Sequence, residues 1–288
     1  MRPITCPTPP GAVSVRRREL LGACALSWPL AACASRSGDV SDAAVRSELA
    51  TEGRLRVAIN LGNPILASRG HEPGAPQGVS VDLAREVGRR LGLPIEWVEL
   101  PAAGRAVEAV RARQVNLAFV AIDPVRGADL DYTPPYVVIE GAYLVRADSA
   151  LSRLDEVDRP GNRVVVGRGS AYDLYLTRTL QHAQLVRSAT SPAVVDQFLA
   201  EGLEVAAGVR QQLQADRDRL AATGGQALRL LPGRFMVIEQ AMAVSKGSQA
   251  AQAWLSAFIE EMKASGRVAD SLRRHGIEGA AVAPPARP

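Results

Sequence analysis

Cysteine is scarce in this chain, and unevenly so. Its 288 residues hold three, Cys6, Cys24 and Cys33, and none follows position 33. The body therefore has no thiols for a disulfide framework and must be stabilised by an ordinary apolar core. Histidine is as sparse: His71, His182 and His275 stand far apart, with no Cys/His cluster of metal-ligand spacing and no nucleophile pattern beside them. The G-x-S-x-G signature of a serine hydrolase is absent. Aromatic residues make up 4% of the chain, with no basic stripe for them to interleave, so nucleic-acid stacking has no footing. The net charge of +4 does not alter this. Arg2, Arg16, Arg17 and Arg18 against Glu19 place +3 of it in residues 1–32, leaving +1 of mixed sign for the rest. No apolar run approaches the roughly 20 residues that a membrane span requires.

What the N-terminal stretch does contain is a secretion pattern. "RRRELLGACALSWPLAAC" joins a basic segment to an apolar run from Leu20 to Ala32 and a small-residue exit. Arg17 and Arg18 before Glu19-Leu20-Leu21 resemble a twin-arginine export signal, although the general pathway would also accept this segment. Leu30-Ala31-Ala32-Cys33 resembles a lipobox, in which the cysteine is acylated and becomes the new N-terminus. The expectation is a signal peptide over 1–32 and lipid on Cys33, which holds the mature protein at a membrane surface outside the cytoplasm.

Residues 33–53 are small, polar and aperiodic, and read as a lipidated tether. Beyond them strand and helix periods alternate. "RLRVAIN" has the two-residue period of a strand, and "SVDLAREVGRRLG" places Leu83, Ala84, Val87 and Leu91 on one helical face, with Ser80 as N-cap and Gly92 as stop. "PIEWVEL", a short helix through Ala106, Val107 and Val110, and "VNLAFVAI" complete β-α-β-α-β. The pattern restarts at "RVVVGRG", continues through a helix in "SAYDLYLTRTLQHA", "QLVRSA", a helix capped by Ser191 and "LEVAAGV", and then a helix over 211–222. "ALRLLP" and "QAMAVSK" read as strands, and a last helix turns Ala253, Trp254, Ala257, Phe258 and Met262 inward. The closing "GAAVAPPARP" reads as a frayed tail over 278–288. The fold class is α/β: two lobes, each a mostly parallel sheet flanked by helices, with a cleft between them for a ligand.

The order of these segments resembles the family-3 extracytoplasmic solute-binding proteins, the polar amino-acid binders that serve ABC importers. The resemblance spans about Leu55 to Ile277. It is carried by "LRVAI", "GVSVDLAREVGRRLGLPIEWVEL" (like the family's G-F-D-x-D-L-A helix and next strand), "AVEAVRARQVNLAF", "IDPVRGADLDYTPPY" (like I-T-x-x-R…F-S-x-P-Y), "RVVVGRGSAYDLYL" and the closing "AMAVSKGS…AWLSAFIEEMKASGRVADSLRRHGI". It implies the two-lobed periplasmic-binding-protein fold. Residues 54–138 and the return helices of 245–277 would form one lobe, and 139–244 the other. Crossover strands at Val137–Arg146 and Ala241–Ser245 would be the hinges.

Position by position, the resemblance implies that Arg126 grips a ligand carboxylate and that Ser170, at the turn opening the second lobe, meets the same anion. Departures accompany these matches. Phe119 and Ala121 replace the hydroxyl residues that precede the arginine, and the family's amino-binding aspartate falls at Val209, with Arg210 beside it. Leu66 and the alanines of "PAAGR" stand where aromatic residues stack on the ligand. An ammonium would lack its counter-charge, which favours an anionic guest, unless Asp123 supplies the acid. Asn63, Tyr172, Glu239 and Gln240 fall in loops or crossover strands that could line the cleft. The implied partners are a small-molecule ligand, ABC permease subunits and, through the lipid, a membrane; a monomer without cofactor or metal is expected. Two other readings remain open. One is a periplasmic enzyme like cyclohexadienyl dehydratase, with Glu239 as its general acid; the other is a sensor or binding module without transport. "GRGSAYD" lacks the third glycine of a nucleotide loop.

Overall fold

The computed structural model describes residues 41–70 and 75–286. The expected leader, Cys33, the first part of the tether and His71 lie outside the described residues. The first element of the described residues is a helix, α1 (Asp42–Leu49), where the sequence reading has a featureless tether. Ser41 caps it, and its larger apolar residues, Val45 and Leu49, are wholly buried.

The elements of the first lobe follow in the expected order. β1 (Leu55–Asn60) is followed by the small hairpin β2 (Ser68–Arg69) and β3 (Pro76–Gln77), then α2 (Val79–Leu91), β4 (Ile95–Leu100), α3 (Ala103–Arg111) and β5 (Leu117–Ala121). α2 buries Leu83, Ala84, Val87 and Leu91, the face its spacing predicts, and ends at Gly92 with φ 62°, a left-handed stop that a residue without Cβ adopts freely. Its start is not where expected. The helix opens after Gly78, so Ser80 is inside it, and the Ser80 hydroxyl instead lies 3.0 Å from the Tyr136 hydroxyl. β6 (Leu130–Tyr132) and the ten-residue β7 (Val137–Arg146) then lead out of the lobe.

The second lobe is built from β8 (Arg163–Gly167), α4 (Ala171–Thr179), β9 (Gln184–Ser188), α5 (Val194–Ala200), β10 (Val205–Val209), α6 (Arg210–Ala222) and β11 (Leu228–Leu230). α4 ends before Leu180, short of the expected "QHA". Ser191 does not cap α5; it opens a 3-10 turn whose N-cap is Thr190. β12 (Met236–Ser245) returns the chain, followed by α7 (Gln249–Ala264), α8 (Arg267–Arg274) and β13 (Ala281–Val282).

One sheet runs through both lobes in the order β4-β1-β5-β12-β7-β10-β8-β9. β4, β1 and β5 are mutually parallel, as are β10, β8 and β9. Between these parallel blocks lie the two long antiparallel strands, with Val137–Gly141 opposite Met236–Gln240. The second crossing is therefore at 236–240 rather than at Ala241–Ser245, which already pairs with β5 and β6.

Three further expectations are corrected. The inward face of α7 is Ala251, Leu255, Phe258, Ile259 and Met262; Ala253 and Ala257 are exposed and Trp254 half-buried. The described part of the C-terminal segment, residues 278–286, is not frayed. β13 pairs with Val137 and Val138 on the side of β7 opposite β12, Ala283 is buried, and the Lys263 ammonium donates to the Pro284 carbonyl at 2.8 Å. The helical end of the tether docks on α7, where the Glu48 carboxylate accepts the Ala251 N–H at 2.7 Å. Burying Val45 and Leu49 there removes apolar surface worth about 1.5–3 kcal/mol per side chain.

Candidate functional site

Where β1, β5, β8 and β10 end, the lobes face one another across a narrow crevice, the position at which ligands meet α/β sheets. Lobe 1 contributes Asn60, Gly62, Asn63, Ala103, Ala121 and Arg126; lobe 2 contributes Ser170, Ala171, Tyr172, Ser191 and Val209; β12 adds Ile238 and Gln240. The free space is about 30 Å³. That is room for a water or two, far below the roughly 300 Å³ at which small-molecule sites begin. The lobes are closed, and a guest enters only when they part.

Arg126 is the centre of the crevice. It sits in the turn after β5 and is 3% exposed. Its Nη1 donates to the Ala121 carbonyl at 3.0 Å, which holds the guanidinium in its own lobe. Its Nη2 donates across the crevice to the Gly169 carbonyl at 2.7 Å. Both acceptors are neutral, and among the described residues Arg126 forms no ion pair. Burial pulls its pKa below the ordinary arginine value, opposed by Tyr132 and Asp123 nearby. A desolvated guanidinium held by neutral carbonyls alone is an unsatisfied cation, an arrangement that a carboxylate completes.

The opposing wall is the turn from β8 into α4. Ser170 is the N-cap of α4, and its hydroxyl oxygen accepts the Asp173 N–H at 3.0 Å. Asp173 returns the bond by accepting the Gly169 N–H at 2.8 Å and is itself gripped by Arg187. The Gly169 amide is thus taken, and the Ser170 hydroxyl, besides accepting from Asp173, is hydrogen-bonded to the Tyr172 phenol oxygen. Gly169 has φ 69°, and its Cα lies against Gly104, so backbone meets backbone across the lobes. Tyr172 is buried beside Ser191 and Ser170; burial pushes its phenol up, against the pull of those hydroxyls.

Other expected residues are elsewhere. The Asp123 carboxylate is buried but already occupied, accepting the Val125 N–H at 2.9 Å and the Arg178 guanidinium at 2.9 Å. Since Asp123 belongs to lobe 1 and Arg178 to α4, this ion pair ties the lobes together. Arg210 turns away from the guest: its Nε donates to Glu140 at 2.8 Å and its Nη2 to the Gly233 carbonyl. Glu239 is exposed and meets lobe 1 only through its backbone carbonyl, which accepts the Ile122 N–H. Asn63 and Gln240 do line the crevice. Sequence reasoning missed Ser191, Asn60 and the Arg178 tie, because nothing in local pattern distinguishes them from a helix cap, a strand end and a surface arginine.

A closed two-lobed α/β clamp with one buried cation at its seam defines a small-solute binding protein. The chain belongs to the bacterial extracellular solute-binding proteins, family 3, whose model matches residues 55–277. No curated protein matches its sequence. Among solved structures it is similar to the solute receptors for L-cysteine of Neisseria gonorrhoeae, at 20% identity and a TM-score of 0.70, with 83% of this chain and 94% of that one covered. It is similar to a mutant of ArgBP from T. maritima, at 19% identity and 0.69, covering 82% and 100%. An ancestral amino-acid-binding protein described as a precursor of cyclohexadienyl dehydratase matches at 18% identity and 0.64, covering 77% and 95%. No helix among the described residues is long and apolar enough to cross a membrane.

Proposed function

We propose that this protein is a lipid-anchored, monomeric binding component of an ABC importer that captures a small anionic solute between its lobes. The carrying observation is Arg126, 3% exposed and satisfied only by neutral carbonyls. In this reading a guest carboxylate takes the place of Gly169 at Nη2, while the bond to Ala121 keeps the guanidinium aimed. Ser170 turns its hydroxyl proton from the Tyr172 phenol oxygen to the same anion from the other lobe, so the guest joins both walls and holds them shut. Exclusion of water strengthens the charged contact. The binding proteins among the similar structures take amino acids. Here Val209 stands in the crevice and Asp123 is committed to Arg178, which supports an acid without an ammonium group.

A dehydratase on this fold needs a proton donor at the guest, and Glu239 is not among the lining residues. Incubation with prephenate-like cyclic acids is expected to return them unchanged by mass spectrometry; a product would make the protein an enzyme. A thermal-shift panel of organic and amino acids tests the binding role, since a ligand of the native state raises the melting temperature by mass action. Organic acids are expected to raise it. A panel without any shift would count against the proposal. The anchor has a separate test: Cys33→Ala should move the protein from the membrane to the soluble fraction, and retention on the membrane would remove the lipid site.

A further inference from the structure

Granted the binding role proposed for the crevice, on which any selectivity rests, its lining constrains the guest beyond charge. Among the described residues that lining holds one cation, Arg126, and no carboxylate. An ammonium group brought in beside a carboxylate would lose its water and find no anion, a desolvation that neutral groups offset only in part. One polar atom of the wall is also unsatisfied. Asn63 Oδ1 is buried and has no hydrogen-bond donor among the described residues. Its residue is not a loose loop position. The Asn63 N–H donates to the Asn60 carbonyl, and its own carbonyl accepts the N–H groups of Leu66 and Ala67, which fixes the turn after β1.

A buried amide oxygen without a donor is costly to leave unmade; an ammonium N–H answers it only by burying a cation without an anion, whereas a neutral O–H answers it without that cost. A ketone cannot answer it, because both atoms are acceptors. We infer that the crevice selects a hydroxycarboxylate, its carboxylate on Arg126 and its hydroxyl donating to Asn63, over the amino acid and the keto acid of the same skeleton.

The test is isothermal titration of the full-length protein with matched 2-hydroxy, 2-oxo and 2-amino acids of three to five carbons. The hydroxy acid of at least one chain length should bind about 10-fold more tightly than its two partners, since the buried acceptor goes unanswered in the keto acid and the ammonium charge goes unpaired in the amino acid. In Asn63→Ala, whose melting temperature serves as the folding control, the hydroxy acid should lose about 10-fold and the keto acid less than about twofold. Equal binding of hydroxy and keto acids, or an equal loss of both in the variant, would overturn the hydroxyl assignment. The Arg126 reading would survive that result. Tighter binding of the amino acids would overturn the claim against ammonium. If no acid binds, both the selectivity and the binding reading fall together.

Discussion

Arg126 and Arg210 belong to opposite lobes, and they differ in the kind of partner each meets. Arg210 meets a carboxylate, Glu140, which also receives Arg234 at 2.6 Å; Arg126 meets only backbone carbonyls. The guanidiniums of Arg234 and Arg210 hold the Glu140 carboxyl below its usual range, so that cluster is electrostatically closed. The Arg126 site is open, although it is the more deeply buried of the two. Burial alone does not mark a functional cation. On the proposed reading it is the neutrality of both acceptors that marks Arg126 as the group awaiting a guest anion.

Removing each arginine in turn separates the two sites most strongly. Arg126→Ala should cost about 2–5 kcal/mol of acid binding, the range for truncating one partner of a buried charged contact. Arg210→Ala should leave acid affinity nearly unchanged and lower the melting temperature, since it frees Glu140. Equal effects of the two on titration calorimetry would erase the distinction. Supplying the missing anion is the converse. Val209 lines the crevice and is also the N-cap of α6, with no side-chain cap bond. Val209→Asp should therefore raise stability by capping the helix while weakening acids and admitting α-amino acids by about 1.5–3 kcal/mol, the worth of a charged hydrogen bond. A variant with unchanged ligand preference would contradict the reading.

Smaller effects concern ion pairs that are already complete. Arg178→Gln removes the tie to Asp123. Arg178 is 38% exposed, so the loss should be about 1 kcal/mol. It should appear as a more open ligand-free particle in small-angle scattering; an unchanged radius of gyration would show that the pair does not hold the lobes. In lobe 1, Glu86 is bound by Arg89, Arg90 and Arg267, and its carboxyl is held at about 2, chiefly by the hydrogen bond from Arg89. A depressed carboxyl stabilises the fold above its unfolded pKa and ceases to do so as pH falls through the folded one. Wild type should therefore lose on the order of 1 kcal/mol between about pH 4.5 and 2 that Glu86→Gln does not lose, after discounting for exposed partners. Parallel melting curves would remove this contribution.

Much of the fold was legible because its signals are local. The apolar spacing of Leu83, Val87 and Leu91, the glycine stop at 92 and the alternation in "RLRVAIN" each act within a few residues. The failures are non-local. α1 buries only Val45 and Leu49, and its partner α7 is 203 residues away by the Glu48–Ala251 bond, so composition alone makes it look like tether. β13 is held by β7 and by Lys263, neither of which is visible in "GAAVAPPARP". On α7, Trp254 and Ala253 are apolar enough to pass as core, but the packing selects Leu255 and Ile259. The site divides in the same way. Arg126, Ser170, Tyr172, Asn63 and Gln240 all line the crevice. The commitments of Asp123 to Arg178 and of Arg210 to Glu140 depend on partners that only the folded chain brings near.

The proposed binding role turns on an acid displacing Gly169 from Arg126 as the lobes close on it. A crystal structure of the protein with the organic acid giving the largest thermal shift tests this directly. A carboxylate is expected within about 3 Å of Arg126 Nη2, with the Nη1 bond to Ala121 retained and both lobes in contact with the guest. An acid bound elsewhere, with Arg126 still donating to Gly169, would contradict it.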